Sequence, residues 1–284
     1  MSLARNDVGP TADLRALASQ VHPVFMLPPV AASAFGGLLA GEMVLSLAAL
    51  HGLAVFFALY TAHVKDGYVD FYGRGEDDDH PLSERGCRVA LAGASLGFFV
   101  CLGALWWLVD VWAAAVSLPG WLIGIHHAPQ LDTNPVTATT GYPLGIALAL
   151  VGGHYVQATG LSPTVAGLAA IFLLVLSGIK IVDDATDYEY DRSIGKRTVA
   201  VAVGPLRARR LAYALMLGGM LAVVGLAGTL SGMPPSAALA TVVFAVVAVV
   251  ARDADPELAT KLLIRGSYLF LAVLVAAVWF RPLA

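Results

Sequence analysis

Charged residues are scarce in this sequence. They make up 13% of the 284 residues, whereas 58% are hydrophobic and the mean hydropathy is +0.76. A soluble globule of this size needs more charge to cover its surface. We therefore expect one all-α domain over residues 1–284 that crosses a membrane several times. The net charge is −3 and no basic face is evident, so binding to nucleic acid is not expected.

Cysteine is also rare, and a secretion signal is absent. Cys87 and Cys101 have no C-x-x-C spacing and no histidine-rich neighbourhood, so we interpret them as unpaired packing residues. Residues 1–19 are polar and mixed in charge. They lack the basic start, short apolar core and small-residue cleavage site of a signal peptide. We expect this segment to be a polar N-terminus that is retained.

Nine apolar segments are candidates for membrane spans. They comprise residues 21–40, 43–62, 88–110, 111–125, 142–158, 164–181, two spans within 210–252, and 262–280. Proline occurs within the first of them, which predicts a kink or a late helix start. We predict nine transmembrane helices in a bundle around a central cavity.

The basic residues predict how the chain is oriented, because short cytoplasmic loops are enriched in Lys and Arg. If the N-terminus is cytoplasmic, sixteen of the seventeen Lys and Arg residues fall on the cytoplasmic side. Only Arg281 falls on the other side. We therefore expect a multi-pass protein of the cell membrane with a cytoplasmic N-terminus.

Two acidic stretches follow apolar segments of membrane length. Asp183, Asp187 and Asp191 are spaced i, i+4, i+8, so they share one face if the preceding helix continues. Asp66 and Asp70 have the same spacing, 117 residues upstream of Asp183 and Asp187. Like charges on one face destabilise a helix unless a cation compensates them, and such carboxylates are typical of Mg²⁺ sites. The alternative is two solvated acidic helix ends.

Four basic residues lie within or just after the second acidic stretch. They are Lys180, Arg192, Lys196 and Arg197. They are suited to neutralising phosphate oxygens, although the ordinary cytoplasmic excess of basic residues explains them equally well. Acidic helix ends above long apolar helices fit a substrate with a diphosphate head and an isoprenoid tail.

The second acidic stretch continues into residues 187–204, which read D-Y-E-Y-D-R-S-I-G-K-R-T-V-A-V-A-V-G. This run resembles the second signature of the UbiA superfamily of intramembrane prenyltransferases. The signature's D-x-x-x-D is followed by Gly195, Thr198 and Gly204 at matching offsets. The likeness extends over nearly the whole chain, including the nine spans.

The first signature of that superfamily, N-D-x-x-D-x-x-x-D, is only half present. Asp66 and Asp70 match its last two acids, but Ala62 and His63 replace its leading Asn-Asp. His63 is a candidate phosphate contact or an ordinary helix-end histidine. Two further departures are His22-Pro23, where many members have Arg-Pro, and His126-His127 in a loop that is often basic.

The resemblance implies a Mg²⁺-dependent prenyltransferase that takes an allylic polyprenyl diphosphate and works in membrane lipid with its active site on the cytoplasmic side. The implied metal ligands and catalytic residues are Asp66, Asp70, Asp183 and Asp187. The implied substrate-binding residues are His63, Lys180, Asp191, Arg192, Lys196, Arg197, and the aromatic side chains Tyr68 and Tyr155, which are candidates to face an allylic cation.

Residues 152–162 are similar to a G-x-Y-Y-V-Q-T-G-x-L-S stretch of the 1,4-dihydroxy-2-naphthoate prenyltransferases. This favours an aromatic quinone precursor as the lipophilic acceptor. The alternatives are a non-aromatic acceptor (a glycerol-ether lipid or a carotenoid), a non-catalytic isoprenoid-binding protein, and a cation-coupled transporter. A transporter is disfavoured because its acidic residues would lie near the middle of the membrane. A CDP-alcohol phosphatidyltransferase is disfavoured because no D-G-x-x-A-R precedes Asp187.

Overall fold

The chain folds as a bundle of α-helices. The computed structural model describes residues 2–229 and 233–282. Its α-helices are α1 (Pro10–Ala18), α2 (Pro23–Leu38), α3 (Leu45–Tyr68), α4 (Glu84–Leu108), α5 (Val111–Ile125), α6 (Pro135–Ala158), α7 (Pro163–Asp184), α8 (Tyr188–Ser193), α9 (Val199–Val203), α10 (Pro205–Thr229), α11 (Leu239–Arg252) and α12 (Pro256–Phe280). A π-helical turn (Val69–Arg74) extends α3, and short 3₁₀ helices form at Leu131–Thr133 and Pro235–Ala238.

The prediction of an all-α polytopic membrane protein is confirmed. Within the described residues, seven helices are long and apolar enough to cross a membrane. The helices α1 and α2 together would make an eighth span, bent by 64° at the break between them. The helix α5 is apolar but has only 15 residues. Every predicted span overlaps one of these helices, and the exact number of nine spans stays a prediction.

Local sequence signals explain where many of the helices begin. A side-chain oxygen caps the first turn of α4, α5, α6, α7 and α12 by accepting a backbone N–H. The capping residues are Ser83, Asp110, Asn134, Ser162 and Asp255. Proline occupies the first helical position of α6, α7 and α12, where its missing N–H costs nothing and its fixed φ suits a helix.

Glycine brings the backbones of α2 and α6 into direct contact. A Cβ added to Gly36 would lie 2.0 Å from the Leu150 carbonyl oxygen, and one added to Gly153 would lie 2.0 Å from that of Ser33. No side chain fits in either position. Small residues allow this kind of close approach between membrane helices, and the two helices form a seam with no gap between them.

The predicted disturbance of the first span takes a specific form. The helix α2 starts late, at Pro23, and continues through Pro28 and Pro29. A proline has no N–H to donate, so each of these two removes the helical hydrogen bond to the carbonyl four residues earlier. The carbonyl groups of Val24 and Phe25 therefore lose their intrahelical partners.

A tyrosine from each neighbouring helix replaces those lost donors. The Tyr142 hydroxyl on α6 donates to the Phe25 carbonyl at 2.7 Å. The Tyr268 hydroxyl on α12 donates to the Val24 carbonyl. The first turns of α2 are thus attached to the bundle from both sides by side-chain hydrogen bonds.

Candidate active site

A cavity of about 540 Å³ opens among the ends of α1, α2, α3, α7 and α12. Asp66 and Asp70, from the first acidic stretch, lie in its wall, as does Asp183 from the second. His63 and Lys180 line the same cavity. Five of the residues predicted for the site are therefore neighbours of one space.

The first acidic stretch lies where α3 widens into its π-helical turn. Asp66 is on the last turn of α3, and Asp70 is on the π-helical turn, which Gly75 ends with a left-handed φ of 63°. Single π-helical turns of this kind often occur at functional sites. Arg74, on the same turn, places Nη1 3.1 Å from Asp70 and Nη2 2.8 Å from Asp132.

The second acidic stretch departs from its predicted form, because the helix does not continue. The helix α7 ends at Asp184, and Asp187 precedes the separate short helix α8. Thr186 competes for the helix end, since its hydroxyl donates to the Asp183 carbonyl at 2.7 Å and its N–H donates to the same oxygen at 2.9 Å. Such local bonds offer the backbone an alternative to the helix. The predicted common face of Asp183, Asp187 and Asp191 is therefore wrong.

Lys180 is held by two carboxylates at the end of α7. Its Nζ lies 3.1 Å from Asp183 Oδ2 and 2.6 Å from Asp184 Oδ1. The Asp183 side chain is 37% exposed and lines the cavity, whereas that of Asp184 is 6% exposed. The second carboxylate oxygen of Asp184 has no hydrogen-bond partner among the described residues. Asp184 thus binds Lys180 from the protein interior, while Asp183 faces the cavity.

Lys196 connects the loops that follow the two acidic stretches. Its Nζ lies 3.3 Å from Glu76 Oε1 and 3.9 Å from Asp191 Oδ1. Burial raises the pKa of Asp191 to about 6, against the opposing effect of Lys196. Burial alone would lower the pKa of Lys196. The nearby carboxylates of Glu76 and Asp191 outweigh this effect, so the pKa of Lys196 is raised.

Three other predicted residues lie on the surface of the segment between α7 and α9. Asp187, Arg192 and Arg197 are exposed and are not among the residues of the cavity wall. The backbone N–H of Arg197 donates to the Asp132 carbonyl at 2.9 Å. This bond connects the segment after α8 to the segment before α6.

The structure does not bring the two predicted tyrosines to the cavity. The Tyr68 hydroxyl donates to Glu84 at 3.3 Å, and the Tyr155 hydroxyl donates to Asp110 at 3.1 Å. Tyr155 lies thirteen residues beyond Tyr142, so it is about 20 Å further along α6 than the cavity wall. The aromatic side chains that do line the cavity are Phe25, Tyr142 and Tyr268.

Four histidines line the cavity, His22, His63, His80 and His127, although the sequence indicated only His63 as a ligand contact. Three of them, His22, His63 and His127, form one group, in which the rings of His22 and His63 stack with their centroids 4.9 Å apart. The sequence did carry a signal for this cluster. All three positions were departures from the resembled superfamily pattern, and departures that fall together in space indicate one altered site.

Arg74 is a site residue that the sequence analysis missed. In the sequence it stands among many charged residues, and nothing in the spacing distinguishes it from its neighbours. Its role becomes visible only when the fold brings Asp132, from the loop before α6, next to Asp70.

A narrow apolar channel leads away from the cavity between α3, α5 and α6. The two spaces share wall residues, so they are adjacent. The shared residues are His63, Asp66, His127, Tyr142 and Ile146. The site therefore combines a charged opening with an apolar interior.

The donor set fits Mg²⁺ in combination with a phosphate ligand. No group of three His, Cys, Asp or Glu side chains in the described ranges is close enough to enclose a metal ion alone. Mg²⁺ is usually held by one or two carboxylates together with water and substrate phosphates, rather than by an all-protein cage. Asp66, Asp70 and Asp183 provide such carboxylates, and Asp77 and Asp79 line the same cavity.

Comparison with known proteins decides the family. A model of the UbiA prenyltransferase family matches residues 81–274. The chain belongs to the UbiA prenyltransferase family. The matched stretch includes the second acidic stretch of this UbiA-family protein, whereas Asp66 and Asp70 precede it. No curated protein matches the sequence.

Solved structures share the fold of this UbiA-family protein. A digeranylgeranylglyceryl phosphate synthase is 15% identical with a TM-score of 0.72, and the match covers 94% of this chain and 98% of that one. A UbiA homologue from Archaeoglobus fulgidus, solved with GPP and Mg²⁺, is 18% identical with a TM-score of 0.70, covering 94% and 99%. A UbiA homologue from Aeropyrum pernix K1 is 16% identical with a TM-score of 0.72, covering 90% and 98%.

Proposed function

We propose that this UbiA-family prenyltransferase moves an isoprenyl group from an allylic polyprenyl diphosphate to a lipophilic acceptor, with Mg²⁺, on the cytoplasmic side of the membrane. One observation carries the proposal. Carboxylates from two acidic stretches 117 residues apart line one cavity, together with Lys180, and that cavity adjoins an apolar channel. A diphosphate head and an isoprenoid tail match these two parts.

Asp66, Asp70 and Asp183 would hold the ion, and Asp187, outside the cavity wall, is the fourth carboxylate that the resemblance implies. The first three line the cavity, and Asp187 follows the end of α7 by three residues. When bound with the diphosphate, Mg²⁺ supplies Lewis-acid stabilisation of the negative charge on the leaving oxygens. The structures of the Archaeoglobus fulgidus homologue with GPP and Mg²⁺ and with DMAPP and Mg²⁺ support this choice of ion and substrate class.

The side chains of this protein have separate roles in the reaction. Lys180 donates to phosphate oxygens, because a charge-assisted hydrogen bond to phosphate is stronger than a neutral one. The allylic C–O bond breaks, and its electron pair leaves with the diphosphate. The apolar wall keeps water from the resulting carbocation, and the aromatic faces of Tyr142 and Tyr268 stabilise it.

The acceptor then completes the exchange. Its electron pair forms the new bond to the allylic carbon, and it loses one proton. The imidazole rings of His22, His63 and His127 lie in the cavity wall, and an imidazole nitrogen that carries no proton can accept one. The products are the prenylated acceptor and diphosphate.

Residues 152–162, whose sequence similarity favoured an aromatic acceptor, make packing contacts that account for that similarity. Gly153 touches the backbone of α2, and the Gln157 amide bonds both the N–H (2.9 Å) and the carbonyl (3.2 Å) of Val44. These contacts lie at the end of α6 away from the cavity. The solved digeranylgeranylglyceryl phosphate synthase supports testing non-aromatic acceptors as well. We keep an aromatic quinone precursor as the first acceptor to test and a glycerol-ether lipid precursor as the second.

The test is product identification. Purified protein in lipid vesicles receives geranylgeranyl diphosphate, Mg²⁺ and one acceptor at a time, and mass spectrometry detects the prenylated product. We expect one acceptor class to gain a prenyl group, and Asp183→Asn to abolish that gain. Substrate binding with no prenylated product from any acceptor would instead indicate a non-catalytic isoprenoid-binding protein.

A further inference from the structure

Asp132 lies outside both acidic stretches but contacts a residue beside each of them. It is the middle residue of the 3₁₀ helix Leu131–Thr133, between α5 and α6. Its carboxylate Oδ2 accepts a hydrogen bond from Arg74 Nη2 at 2.8 Å. Its backbone carbonyl accepts one from the Arg197 N–H at 2.9 Å. A third loop is therefore connected to the first acidic stretch by a side chain and to the second by the backbone.

Local hydrogen bonds hold the backbone around Asp132. The Thr137 hydroxyl donates to the Leu131 carbonyl at 2.6 Å, and Asn134 caps the first turn of α6. Side chains of Thr and Asn that bond nearby backbone groups stabilise turns of this kind. The Asp132 carboxylate therefore extends from a turn that the neighbouring sequence holds in place.

Arg74 lies between two carboxylates and binds one with each terminal nitrogen. Its Nη1 donates to Asp70 Oδ1 at 3.1 Å, while its Nη2 donates to Asp132. The three side chains are only 17–21% exposed, so solvent screens these bonds less than it would on an open surface. A guanidinium group is planar and holds its donors in a fixed fork. Two acceptors together therefore define its orientation.

The contact with Arg74 leaves half of the Asp70 carboxylate available. Among the described residues, Arg74 is the only hydrogen-bond donor to this carboxylate, and it takes Oδ1. Asp70 lines the cavity, whereas the described wall includes neither Arg74 nor Asp132. Oδ2 of Asp70 thus remains for an ion, while Arg74 and Asp132 act from outside the cavity.

Asp70 needs such a partner because its surroundings are negatively charged. Asp66 lies one helical turn earlier, and like charges at that spacing repel each other. The backbone N–H of Glu76 donates to the Asp70 carbonyl at 2.8 Å, which adds another acidic residue next to it. Arg74 supplies a positive charge that compensates this repulsion and fixes one carboxylate oxygen.

We propose that Asp132 is a positioning residue for the metal ligand Asp70. Asp132 fixes the guanidinium of Arg74, and Arg74 fixes the rotamer of Asp70, so that Oδ2 is ready to bind Mg²⁺. This inference rests on the proposed function, because it requires Asp70 to hold the ion. Groups that hydrogen-bond to a ligating carboxylate orient it, and the loss of one typically costs about 10–100-fold in metal affinity or activity.

The test measures the binding of Mn²⁺, a paramagnetic substitute for Mg²⁺, by electron paramagnetic resonance of the unbound ion. Each protein is in detergent with a fixed concentration of geranylgeranyl thiodiphosphate, whose bridging sulfur slows cleavage. We expect Asp132→Ala to raise the apparent Kd for Mn²⁺ by about 10–100-fold. The substitution keeps the backbone, so the bond from the Arg197 N–H is retained and only the contact with Arg74 is lost.

A double-mutant cycle shows whether Asp132 acts through Arg74. If it does, Asp132→Ala should change the Kd by less than about twofold once Arg74→Gln is present. Asp132→Glu keeps a carboxylate for Arg74, so its Kd should lie closer to that of the wild type than to that of Asp132→Ala. The titration gives the number of sites and the Kd separately, so a loss of folded protein changes the first and not the second.

Asp78→Ala is the matched control. Asp78 is an exposed carboxylate in the loop before α4, so its removal changes the net charge by the same amount without touching Arg74. Its Kd should equal that of the wild type.

Diphosphate release gives a second readout, which a purely structural role would not move in this way. In Asp132→Ala, the half-saturating Mg²⁺ concentration should rise with the Kd. The rate at saturating Mg²⁺ should stay within about threefold of the wild-type rate, because the loss lies in binding rather than in the chemical step.

The outcomes separate this inference from the proposed function. A wild-type Kd in Asp132→Ala, or a full further loss in the Arg74→Gln background, would overturn the positioning role and leave the proposed function standing. If the Kd values differ as expected but no acceptor gains a prenyl group, the proposed transfer fails and the positioning role stands. Wild-type protein that binds no Mn²⁺ would overturn both.

Discussion

Asp183 and Asp184 are adjacent in sequence but occupy different surroundings. Successive residues of an α-helix point about 100° apart, so one carboxylate faces the cavity and the other faces the protein interior. Asp183 is 37% exposed, and the nearly buried Asp184 holds Lys180 at 2.6 Å. Residues with the same chemistry thus have separable effects on catalysis and on stability.

Asparagine substitutions should separate these two effects. We expect Asp183→Asn to reduce turnover by more than about 100-fold, beyond the 10–100-fold typical of residues outside the first ligand shell. Asp184→Asn should retain most turnover but lower the free energy of unfolding by about 1–3 kcal/mol, because Lys180 loses a charged partner. Diphosphate release and thermal unfolding in detergent measure the two quantities. Equal losses of turnover in both variants would contradict the assignment of the two faces.

Asp191 predicts a pH dependence of stability. Burial raises its pKa to about 6 in the folded protein, above the value of about 3.9 for an exposed aspartate. The folded state therefore binds the proton more tightly than the unfolded state does. Stabilisation by this group is full below about pH 4 and is lost as the pH rises through 6.

The variant Asp191→Asn isolates this contribution. It cannot ionise, so its melting temperature relative to that of the wild type should rise between pH 5 and pH 7.5. The comparison of the two proteins at each pH removes the effects of other titrating groups. A difference in melting temperature that stays constant from pH 5 to pH 7.5 would show that Asp191 does not titrate in this range.

At the scale of elements, α2 depends on partners outside itself. Its two prolines leave two carbonyl groups without intrahelical donors, and tyrosines from α6 and α12 supply the replacements. A helix end in a membrane needs such partners, because lipid offers none. The contact between α2 and α12 therefore depends in part on one hydroxyl group, that of Tyr268.

Removing either hydroxyl should weaken the bundle. Tyr142→Phe and Tyr268→Phe are each expected to lower the free energy of unfolding by about 1 kcal/mol, the usual net contribution of one hydrogen bond. Tyr213→Phe is the matched control, because the Tyr213 hydroxyl is buried without a hydrogen-bond partner in the described part of the chain. Denaturant titration of the three variants gives the comparison. A loss for Tyr213→Phe as large as the other two would contradict the role of these bonds.

The helices could be predicted from the sequence because long apolar runs, prolines and capping residues are local signals. Ser162 and Pro163 mark the start of α7 in the sequence itself. The end of α7 could not be predicted in the same way. Whether Thr186 bonds the Asp183 carbonyl or lets the helix continue is a balance of small local energies. Because α7 ends at Asp184, Asp187 and Asp191 do not lie on the face of α7 that the spacing predicted for them.

At the scale of the whole molecule, three of the four aspartates that the sequence indicated line one cavity, and Asp187 does not. Asp66, Asp70 and Asp183 were found from their spacing and from the family resemblance. Arg74 and the histidine cluster depend on contacts between distant loops, which leave no local pattern. Tyr155 was proposed as an aromatic face for an allylic cation, but it bonds Asp110 at the other end of the bundle.

The distribution of basic residues predicts the sidedness of the bundle. We expect Asp78→Cys, in the loop between α3 and α4, to react with a membrane-impermeant thiol reagent only from the cytoplasmic side. Leu161→Cys, in the turn between α6 and α7, should react only from the outside. Both variants need a background in which Cys87 and Cys101 are replaced. Labelling of both positions from one side would contradict the predicted orientation.

The central claim is that the two acidic stretches act together on one diphosphate. Its most direct test is release of diphosphate from geranylgeranyl diphosphate by the purified protein, measured against Mg²⁺ concentration. We expect release that depends on Mg²⁺ and stops with EDTA, and an equally large loss in Asp66→Asn and Asp183→Asn, one from each stretch. Release that survives either substitution at the wild-type rate would contradict the shared site.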